Sequence, residues 1–518
     1  MLETLSKTST GVLQTKKVTR QQLFSKVVAS RWSLPAILCL QALISLITLH
    51  NTAFQDEALY LFAGKQIVHS WMTGTKVIDP YAQYFSGFPY FYPVIGGVLD
   101  HFGGVEAARA FSLFCMLIVT FCAYQVAQRL FNRNCALWAA ILFAFQAPVL
   151  FMGRLATYDA LCLCCLAIAA ALSMHVARAR TPWGALLIGP LLFLAIVAKY
   201  AGMLFVPSVL GLLLFYSLIS QGMRAMLLRV ILALLSFALV AAVGLLSLSK
   251  DVLTGISATT TNRVATIYNS PSILLTHIVE LSGIALVVGF LGLLLIGRKR
   301  LWLGLLLFAS ALLAPAYHLY KGELISLDKH LAFGMFFLAP LMGYAVASLA
   351  KYQRRFFSNY HWLVGLAVFL VIFSLGLQQA EYMYNEWITS TSMTYTMETQ
   401  TRPGSGHYLS EDYDVSRYYL QHVSAPWQWN SLDFFQYTDR THQLLTGRPA
   451  YQAALQDGYF DAVELSFGYN VSLAQYISGE IAKDHNYDLV SKLPYHDAYG
   501  NGTIWIWRKH TPSPPVSH

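Results

Sequence analysis

Asn51-Thr-Ala-Phe-Gln-Asp-Glu-Ala-Leu-Tyr60 comes at the end of the first long apolar segment of the chain, residues 34–53. A helix that has just left a membrane therefore meets two adjacent carboxylates, Asp56 and Glu57. Neighbouring like charges beside a low-dielectric slab are costly unless they pair or do chemistry. Two readings follow for the pair: a cap for the next helix, since carboxylates favour helix N-termini, or an active centre at the membrane rim. The rest of the chain decides between them.

The 518 residues are 56% hydrophobic, 14% aromatic and only 12% charged, with mean hydropathy +0.49. Soluble proteins carry about 25% charged residues, so the composition excludes an ordinary soluble fold. A spanning helix needs about 20 mostly apolar residues. That criterion predicts eleven spans, near 34–53, 109–128, 135–153, 158–177, 183–198, 202–219, 228–248, 273–297, 301–319, 331–350 and 361–378. The net charge of +9 would suggest nucleic acid in a soluble chain, but here the basic residues flank the spans. Lys16, Lys17, Arg20, Lys26 and Arg31 precede the first, and Arg129, Arg133, Arg178, Arg180, Arg224, Arg229, Arg298, Lys299, Arg300, Lys351, Arg354 and Arg355 follow on the same side of the alternating topology. That side reads as cytoplasmic, and no nucleic-acid partner is expected. The seven cysteines lie in or beside apolar runs without CxxC spacing and read as small core residues. Residues 1–33 read as a cytoplasmic tail without a cleaved signal peptide.

The fold class expected is mainly α: a polytopic membrane domain over 34–378, with an interfacial first loop at 54–108, followed by a small extracytoplasmic α/β domain at 379–518. In the first loop, Asp56–Met72 reads as an amphipathic interfacial helix with Leu59, Phe62, Ile67, Trp71 and Met72 as its apolar face. Tyr81-Ala-Gln-Tyr-Phe-Ser-Gly-Phe-Pro-Tyr-Phe-Tyr-Pro93 reads either as an interfacial anchor or as a substrate contact. In the tail, strands are predicted over 406–410, 460–465, 487–495 and 503–508, and helices over 448–455 and 472–483. Two sequons, at Asn470 and Asn501, fall in it. Trp427, Trp429, Trp505 and Trp507 read as sugar-stacking or, more commonly, core residues.

With this topology, one rim collects Asp56, Glu57, Lys76, Asp79, Arg154, Asp159, Lys199, Arg263, Lys321, Glu323, Asp328, Lys329 and His330. Each has a bland reading: Asp159 as a first-turn helix residue, Lys199 as a snorkelling lysine, His330 as a satisfied interfacial histidine. Their joint occurrence on one face fits cations that bind a phosphate beside a carboxylate that handles a proton.

The order of these features resembles the membrane glycosyltransferases of the C fold, and among them the bacterial relatives of dolichyl-phosphate-mannose protein mannosyltransferases and of the lipid A aminoarabinose transferase. The residues that carry the resemblance are Asp56-Glu-Ala58, Arg154 with Thr157 and Asp159, Ala198-Lys-Tyr-Ala-Gly202, and Lys329-His330 leading into Phe336-Phe-Leu-Ala-Pro340. It implies transfer of a sugar from a polyprenyl-phosphate donor to a lipid, glycan or protein acceptor outside the cytoplasm, with the enzyme in the plasma (inner) membrane. On that reading Asp56 is the general base, Glu57 its support and Asp159 a second acid. Arg154 and Lys199 bind the donor phosphate, and Tyr60, Lys329 and His330 line the substrate site. The aminoarabinose enzymes carry a Lys-Pro in the first loop where this chain has Phe88-Pro89, which leaves Lys76 as the substitute. A divalent cation, Mg or Mn, is open through Asp56, Glu57 or Asp159; no metal ligand set is assigned. Two other classes compete: a transporter or flippase of a lipid-linked sugar or small anion, and a scaffold acting through its C-terminal domain.

Overall fold

The computed structural model describes residues 31–260, 268–353 and 363–510. The membrane half comprises α1 (Ser33–Thr48), α2 (Gln55–Thr73), α3 (Tyr92–Leu130), α4 (Arg133–Ala144), α5 (Ala147–Met152), α6 (Tyr158–Val176), α7 (Ile188–Ala198), α8 (Val206–Gln221), α9 (Met223–Leu246), α10 (Lys250–Thr259), α11 (Pro271–Leu295), α12 (Leu301–Ala311), α13 (Leu313–Lys321), α14 (Leu327–Gln353) and α15 (Leu363–Tyr384). Among the described residues eight helical segments are long and apolar enough to cross a membrane, and shorter apolar helices lie at Ser33–Thr48, Arg133–Ala144 and Trp183–Ala198. Together they coincide with the eleven expected spans, and the chain is a multi-pass membrane protein. Arg263, the N-terminal basic residues Lys16, Lys17, Arg20 and Lys26, and Arg354 and Arg355 lie outside the described residues.

Burial sorts the helices as solvation by lipid requires. α14 is apolar all round and packs against α3, α4, α11 and α12; a helix without a polar face belongs inside a bundle. α9 turns Leu228, Leu235, Leu239 and Val243 outward, as a lipid-facing helix does. Two segments depart from the expected boundaries. The second span begins upstream, at Tyr92, because α3 continues through a break at Gly103–Gly104, where Gly104 takes φ +66°. The third is split between α4 and α5 around Phe145–Gln146, with Pro148 in the first turn of α5.

The first loop is built more tightly than an interfacial strap. α2 packs directly on α3: a Cβ on Gly64 would come within 1.8 Å of the Pro93 carbonyl oxygen, so only glycine allows the approach. Phe62 and Ile67 are buried, and Trp71 and Met72 are exposed. The aromatic run is corrected from surface anchor to core. Tyr81, Phe85 and Tyr92 are buried together with Tyr60, Ile67 and Tyr158, and only Tyr84 and Tyr90 remain exposed. The rings pack edge to face and stacked on one another, which gives them a better environment than headgroups offer.

The C-terminal part adds α16 (Thr391–Gln400), β1 (Tyr408–Ser410), α17 (Tyr413–Tyr419), β2 (Trp429–Asn430), β3 (Gln436–Thr438), β4 (Leu444–Thr446), α18 (Arg448–Gln456), β5 (Ala462–Leu465), α19 (Val471–Lys483), β6 (Tyr487–Asp497) and β7 (Gly500–Lys509). The sheet order is β2-β1-β5-β7-β6, with β1 parallel to β2 and β5, and β7 antiparallel to β5 and β6. All four predicted strands and both predicted helices are present. Trp429 and Trp507 are core residues, while Trp427 is exposed. Asn470 caps α19, and Asn501 is exposed at the β6–β7 turn.

Within this sheet Glu464 of β5 is fully buried and accepts from the Ser410 hydroxyl at 2.7 Å. Burial, then the Asp412 carboxylate, raises Glu464 well above its ordinary range, and burial with Glu411 pushes Asp412 up to about 7. The native domain therefore keeps protons that the unfolded chain loses above about pH 4. The contribution of these two carboxyls to stability is fullest below about pH 4 and falls as pH rises towards Asp412's value of about 7. Thermal unfolding between pH 5 and 7.5 is expected to show that decline, and Glu464→Gln to flatten it.

Candidate active site

Glu57 and Asp56 are neighbours with opposite fates. Residues one apart on a helix point about 100° apart, so one enters the core and the other faces out. Glu57 is fully buried. Its carboxylate receives the Phe54 and Ala156 backbone N–H groups at 2.8 and 2.7 Å and both Nε and Nη2 of Arg109, at 2.8 and 2.7 Å. Arg109 also binds the carbonyls of Asn51 and Thr52. Glu106 then bridges Arg109 and Arg154, at 2.8 and 2.7 Å. This network fixes the entry of α2 against α3 and the start of α6. Glu57 is both the helix cap and a clamp.

Asp56, held by that clamp, keeps its carboxylate 35% exposed and receives Lys329 Nζ at 2.8 Å on one oxygen. Lys329 comes from the first turn of α14 and lies over the Phe54 ring. Across from it, Asp159 in the first turn of α6 pairs with Lys199, both buried. Tyr60, one turn after Asp56, hydrogen-bonds Tyr158 at 2.7 Å, hydroxyl to hydroxyl, tying the two acid-bearing helices together. Four charges thus alternate in sign, Asp56, Lys329, Asp159 and Lys199, at the meeting point of α2, α6, α7 and α14.

Lys199 occupies a break. α7 ends at Ala198, Lys199 is extended, and a 3-10 turn at Tyr200–Phe205 leads into α8. The first loop is zipped onto this break, with Phe88 N–H on Val197 O and Tyr200 N–H on Ser86 O. A Cβ on Gly87 would sit 2.2 Å from the Ala198 carbonyl oxygen, so residue 87 must be glycine for the loop to lie there. Lys199 lines a cavity of about 1000 Å³. Phe193, Val197, Phe237, Ala241 and Leu245 supply apolar wall, and His318 of α13, Glu323 of the turn after it and His330 of α14 supply polar groups. His318 and His330 are hydrogen-bonded to each other at 2.8 Å. The arrangement suits a long apolar chain ending in an anion.

The model of the dolichyl-phosphate-mannose-protein mannosyltransferase family matches residues 94–249. No curated protein matches the sequence. The fold is similar to that of ArnT from Cupriavidus metallidurans in the apo state, with TM-score 0.57, 12% identity, and 93% of this chain and 98% of that one covered. The chain has the C-type glycosyltransferase fold. Another structure of ArnT, bound to undecaprenyl phosphate, gives TM-score 0.56 over 91% of this chain and 97% of that one, at 12% identity. The Archaeoglobus fulgidus oligosaccharyltransferase shares the C-type fold at TM-score 0.54 and 13% identity, over 95% of this chain and 76% of that one.

Within the C-type fold the candidates separate. Asp56, Tyr60, Asp159, Lys199, Lys329 and His330 lie in one region. Arg154 is buried and neutralised by Glu106, so it belongs to the clamp and not to the cavity wall. Lys76 stands exposed on the loop that follows Gly74, whose left-handed φ of +74° turns the chain out of α2; it does not line the cavity, and Phe88 does. The acids suggested for a cation are otherwise engaged, Glu57 by Arg109, Asp56 by Lys329 and Asp159 by Lys199. Among the described residues no three His, Cys, Asp or Glu side chains are arranged to hold a metal ion. Sequence reasoning missed Arg109, Glu106, Tyr158 and His318. Arg109 carried a signal: a charge at the head of an apolar run needs a buried partner.

Proposed function

We propose that this protein transfers a glycosyl group from a polyprenyl-phosphate donor to a hydroxyl or amine acceptor at the extracytoplasmic face of the plasma (inner) membrane. The observation that carries the reading is the alternating Asp56–Lys329–Asp159–Lys199 array beside an apolar cavity that Lys199 lines. The donor's polyprenyl chain occupies the cavity, and its phosphate lies against Lys199, with His330 alongside. Lys329 orients Asp56 through one carboxylate oxygen and leaves the other to accept the acceptor's proton. As that proton moves to Asp56, the acceptor oxygen or nitrogen bonds to the sugar C1 and the C1–O bond to phosphate breaks, with inversion. Polyprenyl phosphate departs as an anion that Lys199 neutralises, so no acid need protonate it. That ArnT binds undecaprenyl phosphate in a structure of the same fold supports the donor class.

Direct transfer tests the reading: full-length protein in nanodiscs with a panel of undecaprenyl-phosphate sugars and an envelope extract as acceptor. Turnover is expected to release one undecaprenyl phosphate per sugar transferred. Movement of the intact lipid-linked sugar between leaflets without bond cleavage would instead establish a flippase. Lys199→Met is expected to weaken undecaprenyl phosphate binding by about 10- to 100-fold, the usual worth of a charge-assisted contact. Lys76→Ala is expected to leave that affinity unchanged.

A further inference from the structure

The end of the helix bundle away from the candidate active site holds a second, smaller pocket. α6 begins beside Asp159 and runs 19 residues to Val176, about 28 Å at 1.5 Å per residue, so Arg178 stands at the opposite rim of the membrane. There Arg178 meets the last turns of α8, through Tyr216, Ser220 and Gln221, and the start of α12, through Arg300 and Leu303, around a cavity of about 400 Å³.

Both arginines are held in place by uncharged groups. The Arg178 guanidinium lies 5.0 Å from the Tyr216 ring centroid, and that of Arg300 lies 5.8 Å from the Phe131 ring centroid while donating to the Leu130 carbonyl. The Tyr216 hydroxyl donates to the Arg129 carbonyl at 2.8 Å, which fixes the ring that Arg178 covers. Residues 160–250 and 281–322, which supply every wall of the pocket, contain no Asp or Glu, while Arg180, Arg298 and Lys299 add positive charge close by in sequence. A helix C-terminus repels an anion, and α6 ends here. Arg229 offsets that field by donating to the Val176 and Ala179 carbonyls at 2.9 and 2.6 Å.

Basic residues that flank spans set topology, but topology does not require two guanidinium groups to share a cavity that lacks a carboxylate. A guanidinium carries five N–H donors in a planar fork that matches a phosphate. The surroundings select the kind of phosphate. Ile219 in the pocket wall, and Leu301 and Trp302 next to Arg300, are apolar and exposed at this membrane rim. A water-soluble anion gains nothing from them, whereas the acyl chains of a lipid do. We propose that this pocket binds the headgroup of an anionic phospholipid, with Arg178 and Arg300 on its phosphate and its acyl chains along Ile219 and Trp302. The proposal goes beyond the glycosyltransferase reading and does not depend on it.

The test titrates full-length protein in neutral detergent with phosphatidylglycerol and, separately, phosphatidylcholine, and counts bound lipid by native mass spectrometry. Phosphatidylglycerol is expected to bind the more tightly, and Arg178→Gln and Arg300→Gln each to weaken it about 10-fold, the worth of a charge-assisted contact. Ser220→Asp places a carboxylate at an exposed position of the pocket and is expected to weaken binding at least as much without disturbing the core. Arg224→Gln alters an exposed arginine at the same rim that does not line the pocket and is expected to leave binding unchanged. Thermal unfolding of each variant reports an intact fold. Weakening by Arg224→Gln equal to that of the pocket variants would reduce the site to diffuse surface charge. Unchanged binding in Ser220→Asp would place the lipid elsewhere, and displacement of phosphatidylglycerol by inorganic phosphate would make this a site for a free anion. Each of these three results overturns the proposal.

Discussion

Asp56→Asn is expected to reduce kcat for sugar transfer by about 10²- to 10⁴-fold, the span over which a positioned general base acts, while undecaprenyl phosphate still binds. The amide keeps the shape of the side chain but cannot take the acceptor's proton. The loss should therefore appear in kcat and not in donor affinity. The substitution also frees Lys329, whose ammonium is buried and held by Asp56 at 2.8 Å. A single-turnover measurement separates the two effects: a chemical defect slows the burst itself, whereas a displaced Lys329 alters donor affinity through its neighbour Asp159. Transfer at the unaltered rate in Asp56→Asn would remove Asp56 from the chemistry.

Arg109→Met has the second large effect, and it is structural. Arg109 is 1% exposed and Glu57 fully buried, so the substitution strands a carboxylate in the core. Breaking a buried pair from one side costs about 3–5 kcal/mol, enough to lower the thermal midpoint sharply and to misplace α2, taking Asp56 with it. The double variant Glu57→Gln, Arg109→Met removes both charges and should recover much of the stability. Recovery of folding without recovery of activity would assign the pair to positioning as well as to stability. Single and double variants of equal stability would show that the clamp bears no load. The comparison is read by thermal unfolding in detergent.

How far the chain reveals itself differs between its parts. The spans are legible because bilayer thickness imposes one length on every apolar run, so even broken helices such as α7 with α8, or α4 with α5, appear as hydrophobic segments. Asp159, Lys199 and Lys329 are legible for a related reason: each charge stands at the end of such a run, and topology puts those ends on one face. Glu57 is not legible. Its adjacency to Asp56 suggests a shared task, but its partner Arg109 lies 52 residues away and only tertiary packing joins them. Arg154 misleads in the same way, because Glu106 sits inside the first loop and nothing local marks it as the neutralising partner. The aromatic stretch 81–93 has the composition of a membrane interface, yet its rings fill a cavity between α2, α3 and α6 that no local pattern announces. Helix α17 is the extreme case. Tyr413-Asp-Val-Ser-Arg-Tyr-Tyr419 is rich in strand formers, and its helical form is stabilised by docking onto α2, through an Asp79–Arg417 contact that spans 338 residues.

The most direct measurement is a density map of the full-length protein loaded with undecaprenyl phosphate. The phosphate is expected within about 3 Å of Lys199 Nζ, with the polyprenyl chain running along Phe237 and Leu245 and one oxygen of Asp56 left free by Lys329. A phosphate bound elsewhere, with Lys199 held by Asp159 alone and the cavity filled by ordinary lipid, would contradict it.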